Sequence, residues 1–247
     1  MSPLTEPTRL RLANGQPVAN DPYFYTNTVL LLHGNGTNGS TTITDSSPSP
    51  KTVTAVGNAQ ISTAQSKFGG SSIAFDGTND YITVPATGTP GDLGSGNFTV
   101  ETWIYLVART QLYPGIVNNY STFATGSFGL FAGHNSATIT KFQLALNGTG
   151  FPSIDAGTIN YGQWDHLAVV RDSGVIRLYQ NGVSVGSVSF SGALSGTTGS
   201  LWIGRAGDWS SSAKTDLNAF IDEFRITKGV ARYTANFTPP TAPFPDF

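Results

Sequence analysis

The sequence predicts an all-β protein that folds as an antiparallel sandwich of two sheets with an extended N-terminal arm. Short runs rich in Val, Ile, Thr, Phe and Tyr recur from Thr28 onwards, and Gly, Asn and Asp residues separate them. This spacing of strands and turns is typical of antiparallel sandwiches. The chain also contains 29 Gly and 14 Pro residues, which leave few segments long enough for a helix and exclude an all-helical fold.

Residues 1–27 are predicted to form the arm. Four prolines lie in this segment among mixed polar residues, and this composition favours extended backbone over sheet or helix. A terminal arm is ordered only where it docks, so we interpret it as an anchor to a partner protein or to a second copy of the chain. The first residues carry no basic segment followed by an apolar run, and no stretch approaches 18 apolar residues. We therefore expect neither a secretion signal of that type nor a membrane span.

Residues 28–247 are predicted to form one large domain, because 38% hydrophobic residues in a chain of 247 suffice for a single core. Segment 97–113 lacks Gly and Pro and is rich in β-branched and aromatic residues, so it should be a long central strand. Asn181 and Gly182 predict a tight hairpin within residues 175–190. From Asn236 onwards, four prolines prevent regular ladder pairing, so this tail should lie extended over the domain or leave it. The predicted strands lie, in order, in the runs TVLLLH, SSIAFDG, DYITVP, NFTVETWIYL, KFQLALNG, QWDHLAVV, VIRLYQNGVSVGSVSF, SLWIGR and AFIDEFRI.

Charged residues are scarce. Only 11% of the residues are charged, compared with about a quarter in an average domain. The 13 basic and 15 acidic side chains give a net charge of -2, which does not provide the basic surface that a nucleic-acid partner requires. The chain has no Cys, which excludes disulfides, zinc-thiolate sites and cysteine nucleophiles.

Motifs for catalysis are weak, and we predict that the protein is not an enzyme. Residues 34–39 match G-x-G-x-x-G, but β-branched residues and two prolines follow instead of a helix, so the segment is not a dinucleotide site. His33, His134 and His166 are far apart in sequence, and we interpret His166 as a structural residue. Asp222 and Glu223 are adjacent and should point to opposite faces of a strand, so they do not form the carboxylate pair of a glycosidase.

Asp222 is the acidic residue with the most unusual predicted environment. We expect Phe220, Asp222, Phe224 and Ile226 to share one strand face, which would place a carboxylate in an apolar row. A buried charge needs a cation or several hydrogen bonds. Asp222 could be a calcium ligand, with Asn35 and Asp45 of the loop 35–45 as further ligands, or it could accept the N–H groups of a turn. Calcium is the one cofactor that we predict.

Aromatic residues in loop-like segments are candidates for carbohydrate binding, because aromatic faces stack on sugar rings while amides and carboxylates hold the hydroxyls. Trp209 is the first candidate, followed by Tyr113 and Tyr120. Trp103, Trp164 and Trp202 lie in the middle of predicted strands, so we interpret them as core residues.

An ordered series of motifs resembles the laminin-G-like, concanavalin-A-like jelly rolls of bacteriophage structural proteins and bacterial surface proteins. The resemblance spans residues 28–246 and implies two curved antiparallel sheets of six or seven strands, with the first strand beside the last. Asp45 and Asp222 match acidic positions of the family, while Asn35 stands where the family often has Asp. The clustered acidic strand motif of the glucanase branch is absent. The motifs are LLLHGNGTNGSTTITDSS, SKFGGSSIAFDGTNDYITVP, NFTVETWIY, GQWDHLAVVRDSGVIRLYQNGVSVGS, LWIGR and IDEFRITKGVARYTANFTPPTAPF.

This resemblance implies a non-enzymatic protein of the phage virion, either a capsid decoration or a tail or fibre component, whose jelly roll binds glycans of the host surface. The expected partners are other virion proteins, a homo-oligomer formed through the arm and a cell-surface glycan, but neither nucleic acid nor a membrane. The alternative is a carbohydrate-binding adhesin module on the bacterial extracellular surface. A third hypothesis is a cryptic glycoside hydrolase, because the wider superfamily contains glucanases as well as lectins and calcium-dependent binding domains.

Overall fold

A computed structural model of the chain describes residues 21–85, 90–108, 113–119, 125–133, 141–146, 152–195, 200–206 and 215–247. These residues form two antiparallel sheets, a two-stranded ribbon and one helical turn. The elements, in chain order, are α1 Phe24–Asn27, β1 Thr28–Leu32, β2 Thr54–Val56, β3 Gln60–Ser62, β4 Ser72–Asp76, β5 Tyr81–Pro85, β6 Phe98–Leu106, β7 Gly115–Asn118, β8 Phe128–Phe131, β9 Phe142–Leu146, β10 Ser153–Ala156, β11 Trp164–Asp172, β12 Val175–Gln180, β13 Val183–Ser189, β14 Ser200–Ile203, β15 Arg205–Ala206, β16 Thr215–Asp216 and β17 Asn218–Lys228.

The two sheets confirm the predicted sandwich. One sheet has eight strands in the order β13-β12-β11-β6-β17-β4-β3, with β1 paired to β17, so the first strand does lie beside the last. The other sheet has seven strands in the order β10-β9-β8-β7-β14-β5-β2. Strands β15 and β16 form the separate ribbon. Among the described residues, no helix is long and apolar enough to cross a membrane.

The core lies between the sheets and follows from the alternation of side chains along each strand. On β6, Phe98, Val100, Ile104 and Leu106 are buried in the main core cluster. Glu101, between them, belongs to the opposite, outer face of the same strand. Each large apolar side chain buried in this way stabilises the fold by about 1.5–3 kcal/mol.

The sequence predicted the long elements and missed the short ones. The hairpin is confirmed, because Asn181 and Gly182 have φ values of 50° and 80° between β12 and β13. The predicted central strand is β6, which ends at Leu106. Strands β2, β3, β7, β8, β10 and β16 were not predicted, because each has only two to four residues and shows too little alternation to be recognised.

The predicted common face of Phe220, Asp222, Phe224 and Ile226 is wrong, because a bulge interrupts β17. Asp222 pairs with Trp103 and Arg225 pairs with Glu101, so β17 uses one residue more than β6 between these two pairs. Phe224 and Ile226 consequently lie in the core between the sheets.

The extra residue in the bulge is Glu223, whose φ of 52° lies in the left-handed region. Asp222 lies on the outer face, opposite Trp103. Glu223 also faces outwards, because its carboxylate accepts the N–H of Phe244 in the C-terminal tail. The two carboxylates therefore lie on the same side of the sheet, and the expectation of opposite faces was also wrong.

Both chain ends pack on the outer face of the eight-stranded sheet. The tail lies over the domain, which is one of the two alternatives considered for it, with Phe237 against Tyr179 and Phe244 against Leu31. Of the predicted arm, residues 21–27 are described, and they form the helical turn α1 and place Phe24 beside Leu31 and Phe244. Residues 1–20 lie outside the described residues, so the anchor function stays a prediction.

Candidate functional site

A row of five side chains crosses five strands on the outer face of the eight-stranded sheet. Gln60 pairs with Ala74, Ala74 with Phe220, Phe220 with Tyr105, and Tyr105 with Trp164. Directly paired residues of antiparallel strands point to the same face, so the five side chains form one line across β3, β4, β17, β6 and β11. All five are half-buried, which leaves part of each side chain available to a ligand.

A groove of about 370 Å³ opens at one end of this row. Its volume lies within the range of about 300–1,000 Å³ that is common for small-molecule sites. The small side chain of Ala74 leaves room between Gln60 and the ring of Phe220. The groove is lined by Asn58, Gln60, Ser62, Ala74, Phe75, Asp76, Asp80, Val107, Asn218 and Phe220.

Amide groups provide hydrogen-bonding capacity along the groove. Within the described part of the chain, the side-chain amides of Gln60 and Asn218 form no hydrogen bond, and each offers two donors and one acceptor. The Asn58 side chain donates to Asp76 over 3.3 Å at the exposed rim. The groove thus combines an aromatic ring with unbonded amides.

The two carboxylates of the groove hold its wall in place. Asp80 is buried and accepts the backbone N–H groups of Asn58, at 2.5 Å, and Asp76, at 2.9 Å. Burial and the neighbouring Asp76 carboxylate raise the pKa of Asp80 above its ordinary value. Because the two carboxyl groups contact each other, they do not have the separation of about 5–9 Å that flanks a glycosidic bond in a hydrolase.

Aromatic rings continue the row beyond the groove. The ring centroids of Phe220 and Tyr105 lie 6.1 Å apart, and those of Tyr105 and Trp164 lie 5.6 Å apart. The interpretation of Trp164 and Trp202 as core residues is wrong, since both are half-exposed on outer sheet faces. Trp103 is buried, but its partners also lie on the outer face, where the Lys67 ammonium sits 3.9 Å from its ring. Strand alternation alone cannot tell which apolar face is the core when both faces carry aromatic residues.

Of the predicted carbohydrate-binding residues only Tyr113 is described, and it does not line this groove. Tyr113 lies on the other sheet, half-buried, with its ring edge against Phe131 at a centroid distance of 6.2 Å. Tyr120, between β7 and β8, and Trp209, between β15 and β16, lie outside the described residues. Carbohydrate binding by these three residues therefore stays a prediction.

The predicted calcium ligand Asp222 is fully buried and bound to a turn. One of its oxygens accepts the N–H groups of Lys67, at 2.7 Å, and Phe68, at 3.0 Å. Burial raises the pKa of Asp222 to about 7, and the nearby carboxylate of Glu223 contributes to this shift. These hydrogen bonds are those expected if Asp222 stabilises a turn.

Asp45 has a separate set of partners. Its carboxylate accepts the backbone N–H groups of Leu31, Ser47 and Lys51 and the Ser47 hydroxyl, over 2.7–3.0 Å. Asn35 lies beside Gly69, next to the turn that binds Asp222. In the described part of the chain, no group of three or more His, Asp or Glu side chains is arranged to hold a metal ion. Calcium binding stays a prediction.

A buried charge network, formed by Asp21, Glu101, Arg225, Arg232 and Tyr233, fixes both chain ends to the outer face. Arg225 donates to Glu101 at 2.8 and 3.0 Å and to Asp21 at 3.2 Å, and Arg232 donates to Asp21 at 2.7 and 3.0 Å. The Tyr233 hydroxyl donates to the second oxygen of Glu101. Burial alone would raise the pKa of Glu101, but the Arg225 guanidinium holds it well below its usual range. No sequence pattern indicates this network, because its members are far apart in the chain.

His166 lies in the same buried layer. Its Nε2 is 3.4 Å from the Glu101 carboxylate, and its ring packs against Trp103 and Phe237. It is fully buried, which agrees with the predicted structural role.

Comparison with known proteins identifies the fold family. Residues 76–232 match the Laminin_G_3 family, described as the concanavalin A-like lectin/glucanases superfamily. No curated protein sequence matches the chain. The solved binding domain of Paraclostridial Mosquitocidal Protein 1 is 16% identical with a TM-score of 0.63, over 83% of this chain and 49% of that one. A structure described as "Cell entry of botulinum neurotoxin type C is dependent upon interaction with two ganglioside molecules" is 15% identical with a TM-score of 0.55, over 83% and 48%.

The chain thus spans about half the length of these toxin domains. Domain 4 of AbnA, a GH43 extracellular arabinanase from Geobacillus stearothermophilus, is matched over 93% of its length and 83% of this chain. That structure is a complex with arabinotriose, and it is 22% identical with a TM-score of 0.60. At these identities, the likeness concerns the fold.

Proposed function

The chain belongs to the concanavalin A-like lectin/glucanases superfamily, and on that basis we propose that it is a non-enzymatic, lectin-like domain that binds glycans through the groove beside Phe220. The observation that carries this proposal is the pairing of the half-exposed Phe220 ring with the unbonded amides of Gln60 and Asn218 in one groove. A sugar presents a C–H face and a rim of hydroxyls, so it needs both kinds of group. One similar structure is a complex with arabinotriose, and another concerns a neurotoxin whose cell entry depends on interaction with two ganglioside molecules. Both ligands carry saccharides, and this supports the choice of ligand class.

We assign this domain to the surface of a phage particle, with the glycan of a host cell as its target. The layout of the outer face supports this assignment. The arm joins the domain at Asp21, which is bound to Arg225, while the groove lies at Phe220. The two positions pair with Tyr105 and Glu101, which are four residues or roughly 13 Å apart along β6. Attachment through the arm would leave the groove free.

A glycan array tests the binding proposal. We expect the wild-type protein to bind a subset of glycans and Phe220→Ala to lose this binding. Tyr25→Ala is the matched control, because Tyr25 is an exposed aromatic residue on α1, outside the groove. Absence of binding by the wild type would refute glycan binding, and release of reducing sugar from any glycan would refute the non-enzymatic assignment.

Deletion of residues 1–20 tests the anchor. Residues 21–27 must stay, because Asp21 binds Arg225 and Arg232 within the domain. We expect the truncated protein to melt at the wild-type temperature but to sediment as a monomer, whereas the full chain associates. Association that survives the deletion would refute the anchor function.

A further inference from the structure

We infer that the groove is one end of an extended site for a neutral, unbranched oligosaccharide, which runs over Phe220 and Tyr105 to Trp164. This inference rests on the proposed glycan binding and adds the length and charge of the ligand.

The length follows from the strand spacing. Five neighbouring strands contribute to the row, and four spacings of about 4.8 Å give roughly 19 Å from Gln60 to Trp164. A single sugar ring is much shorter than this distance. The aromatic part of the row has ring centroids 6.1 and 5.6 Å apart, a spacing close to that of successive rings in a glycan chain. The row therefore fits an oligosaccharide better than a monosaccharide.

The row runs straight, which favours an unbranched ligand. Its members are directly paired neighbours, so no step along β3, β4, β17, β6 and β11 departs from the line. At the side of the row, Val107 and Tyr161 are each 44% exposed and extend the apolar surface next to Tyr105 and Trp164. A branch that pointed towards this side would meet apolar side chains instead of hydrogen-bonding groups.

The charges favour a neutral ligand. The only ionisable side chains that line the groove are Asp76 and Asp80, and neither Lys nor Arg is among its described lining residues. Lys67 is a cation on this outer face, and its ammonium lies 3.9 Å from the ring of Trp103, beside the row. A carboxylate or sulfate on the ligand would lose its water and find no cationic partner in the groove. Neutral hydroxyls can donate to Asp76 and accept from the amides of Gln60 and Asn218.

Phe220 and Trp164 should contribute differently to binding, depending on the length of the ligand. Phe220 contacts the ligand in the groove, where the amides lie, so every ligand length needs it. Trp164 stands at the far end and can contact only a ligand that extends beyond Tyr105. The loss of the Trp164 stacking contact weakens binding of the longer ligands by roughly three- to tenfold. The loss of Phe220 removes a wall of the groove as well as a stacking contact, so it abolishes binding.

Isothermal titration tests these roles with linear cello-, xylo-, arabino-, manno- and chito-oligosaccharides of one to six units, and with trigalacturonate as the anionic probe. We expect at least one neutral series to gain tenfold or more in affinity from monomer to trimer, and trigalacturonate to bind more weakly than the neutral trimer of that series. In Trp164→Ala, this gain should fall three- to tenfold, while affinity for the monomer and dimer stays within twofold. In Phe220→Ala, all lengths should lose binding, and Tyr25→Ala should behave as the wild type.

Asp76→Asn tests the charge argument. Asp76 is exposed, and its oxygen accepts the N–H of Thr78, a role that the Asn carbonyl keeps. Removal of one charge at about 5 Å from the ligand should raise the affinity for trigalacturonate roughly fourfold at low salt. Affinity for the neutral series should not rise, because a hydroxyl that donates to the Asp76 carboxylate would then donate to an uncharged carbonyl, and the gain for trigalacturonate should shrink as salt screens the charge.

The outcomes separate the inference from the proposed function. One outcome is binding that Phe220→Ala abolishes but that changes neither with ligand length nor in Trp164→Ala. This result would overturn the extended site and leave glycan binding in place. Preferential binding of trigalacturonate would overturn the neutral ligand and also leave glycan binding in place. Absence of binding by every glycan on the array and every oligosaccharide would overturn both. Thermal melting of each variant verifies that it is folded.

Discussion

Replacement of Asp222 by Asn should stabilise the protein at neutral and alkaline pH. Asp222 is fully buried, and one of its oxygens accepts two backbone N–H groups from the turn at Lys67 and Phe68. Burial, helped by the carboxylate of Glu223, raises its pKa from 3.8 to about 7. Asn has the shape of the protonated Asp side chain, and its carbonyl can accept the same two N–H groups without any charge to bury.

The sign and size of the effect follow from this shift in pKa. Between pH 4 and 7, the folded protein holds a proton on Asp222 that the unfolded chain has already released. The contribution of Asp222 to stability is therefore complete below the unfolded pKa and is lost as the pH rises through the folded pKa. A shift of about three pKa units corresponds to about 4 kcal/mol. Asp222→Asn should thus match the wild type near pH 4 and exceed its free energy of unfolding by up to about 4 kcal/mol at pH 8.

Urea unfolding followed by tryptophan fluorescence between pH 4.5 and 8.5 measures this difference. Burial lowers the pKa of His33, but the Glu223 carboxylate raises it above its ordinary value, so His33 also loses its contribution as the pH rises. The Asp222 carboxylate adds a smaller part of that shift, which Asp222→Asn removes. Asp155→Asn is the control, because Asp155 is exposed on β10. Parallel curves for the wild type and Asp222→Asn between pH 5 and 8 would refute the argument.

Three further predictions concern the charge network, the hairpin and the metal. Glu101→Gln leaves the buried Arg225 without its main carboxylate, which should cost about 3–5 kcal/mol and lower the melting temperature by roughly 6–20 °C; an unchanged melting temperature in calorimetry would contradict this. Gly182→Ala should cost more than Gly174→Ala in the free energy of unfolding, since both glycines have a φ of 80° but only the Cβ at 182 would collide with the Phe237 carbonyl; equal losses in urea unfolding would refute the predicted clash. If Asn35, Asp45 and Asp222 bind calcium, the melting temperature should rise with added calcium and fall with EDTA. A melting temperature that responds to neither would contradict calcium binding and indicate that these residues only form hydrogen bonds within the fold.

The fold was predictable because its evidence is local. The alternation of β6 and the Asn181-Gly182 turn are each visible within about ten residues. The bulge at Glu223 was not visible, because nothing in the run IDEFRI marks the position where one residue leaves the ladder. A shift of one residue exchanges the two faces of a strand. Because of this bulge, the predicted strand face of Phe224 and Ile226 was wrong.

The groove was not predictable because its evidence is non-local. Its row requires the register of five strands that are drawn from residues 60 to 220, and no local pattern fixes that register. Trp164 and Tyr105 look like core residues from their strand context, since most aromatic residues in strands are buried. They are outer residues here because the opposite sides of β6 and β11 already fill the core with Ile104 and Leu167.

The position of the tail leaves this row uncovered among the described residues. The outer face of the eight-stranded sheet is apolar enough to need a cover, and Phe237 and Phe244 provide it over Tyr179 and Leu31. The buried charge network sets where this cover lies, because Arg225 and Arg232 bind Asp21 from the arm and Arg225 also stacks 3.7 Å from the Phe244 ring.

In a chain with so few charges, the concentration of charges in one buried network is a strong constraint on how the two chain ends dock. Pairing a buried ion with several partners is what offsets its desolvation, so alternative tail positions that leave Glu101 or Arg225 unpaired are disfavoured. The tail consequently covers the part of the sheet around Arg225 and does not cover the row from Gln60 to Trp164. The same network that closes one half of the outer face therefore defines the other half as the surface available to a ligand.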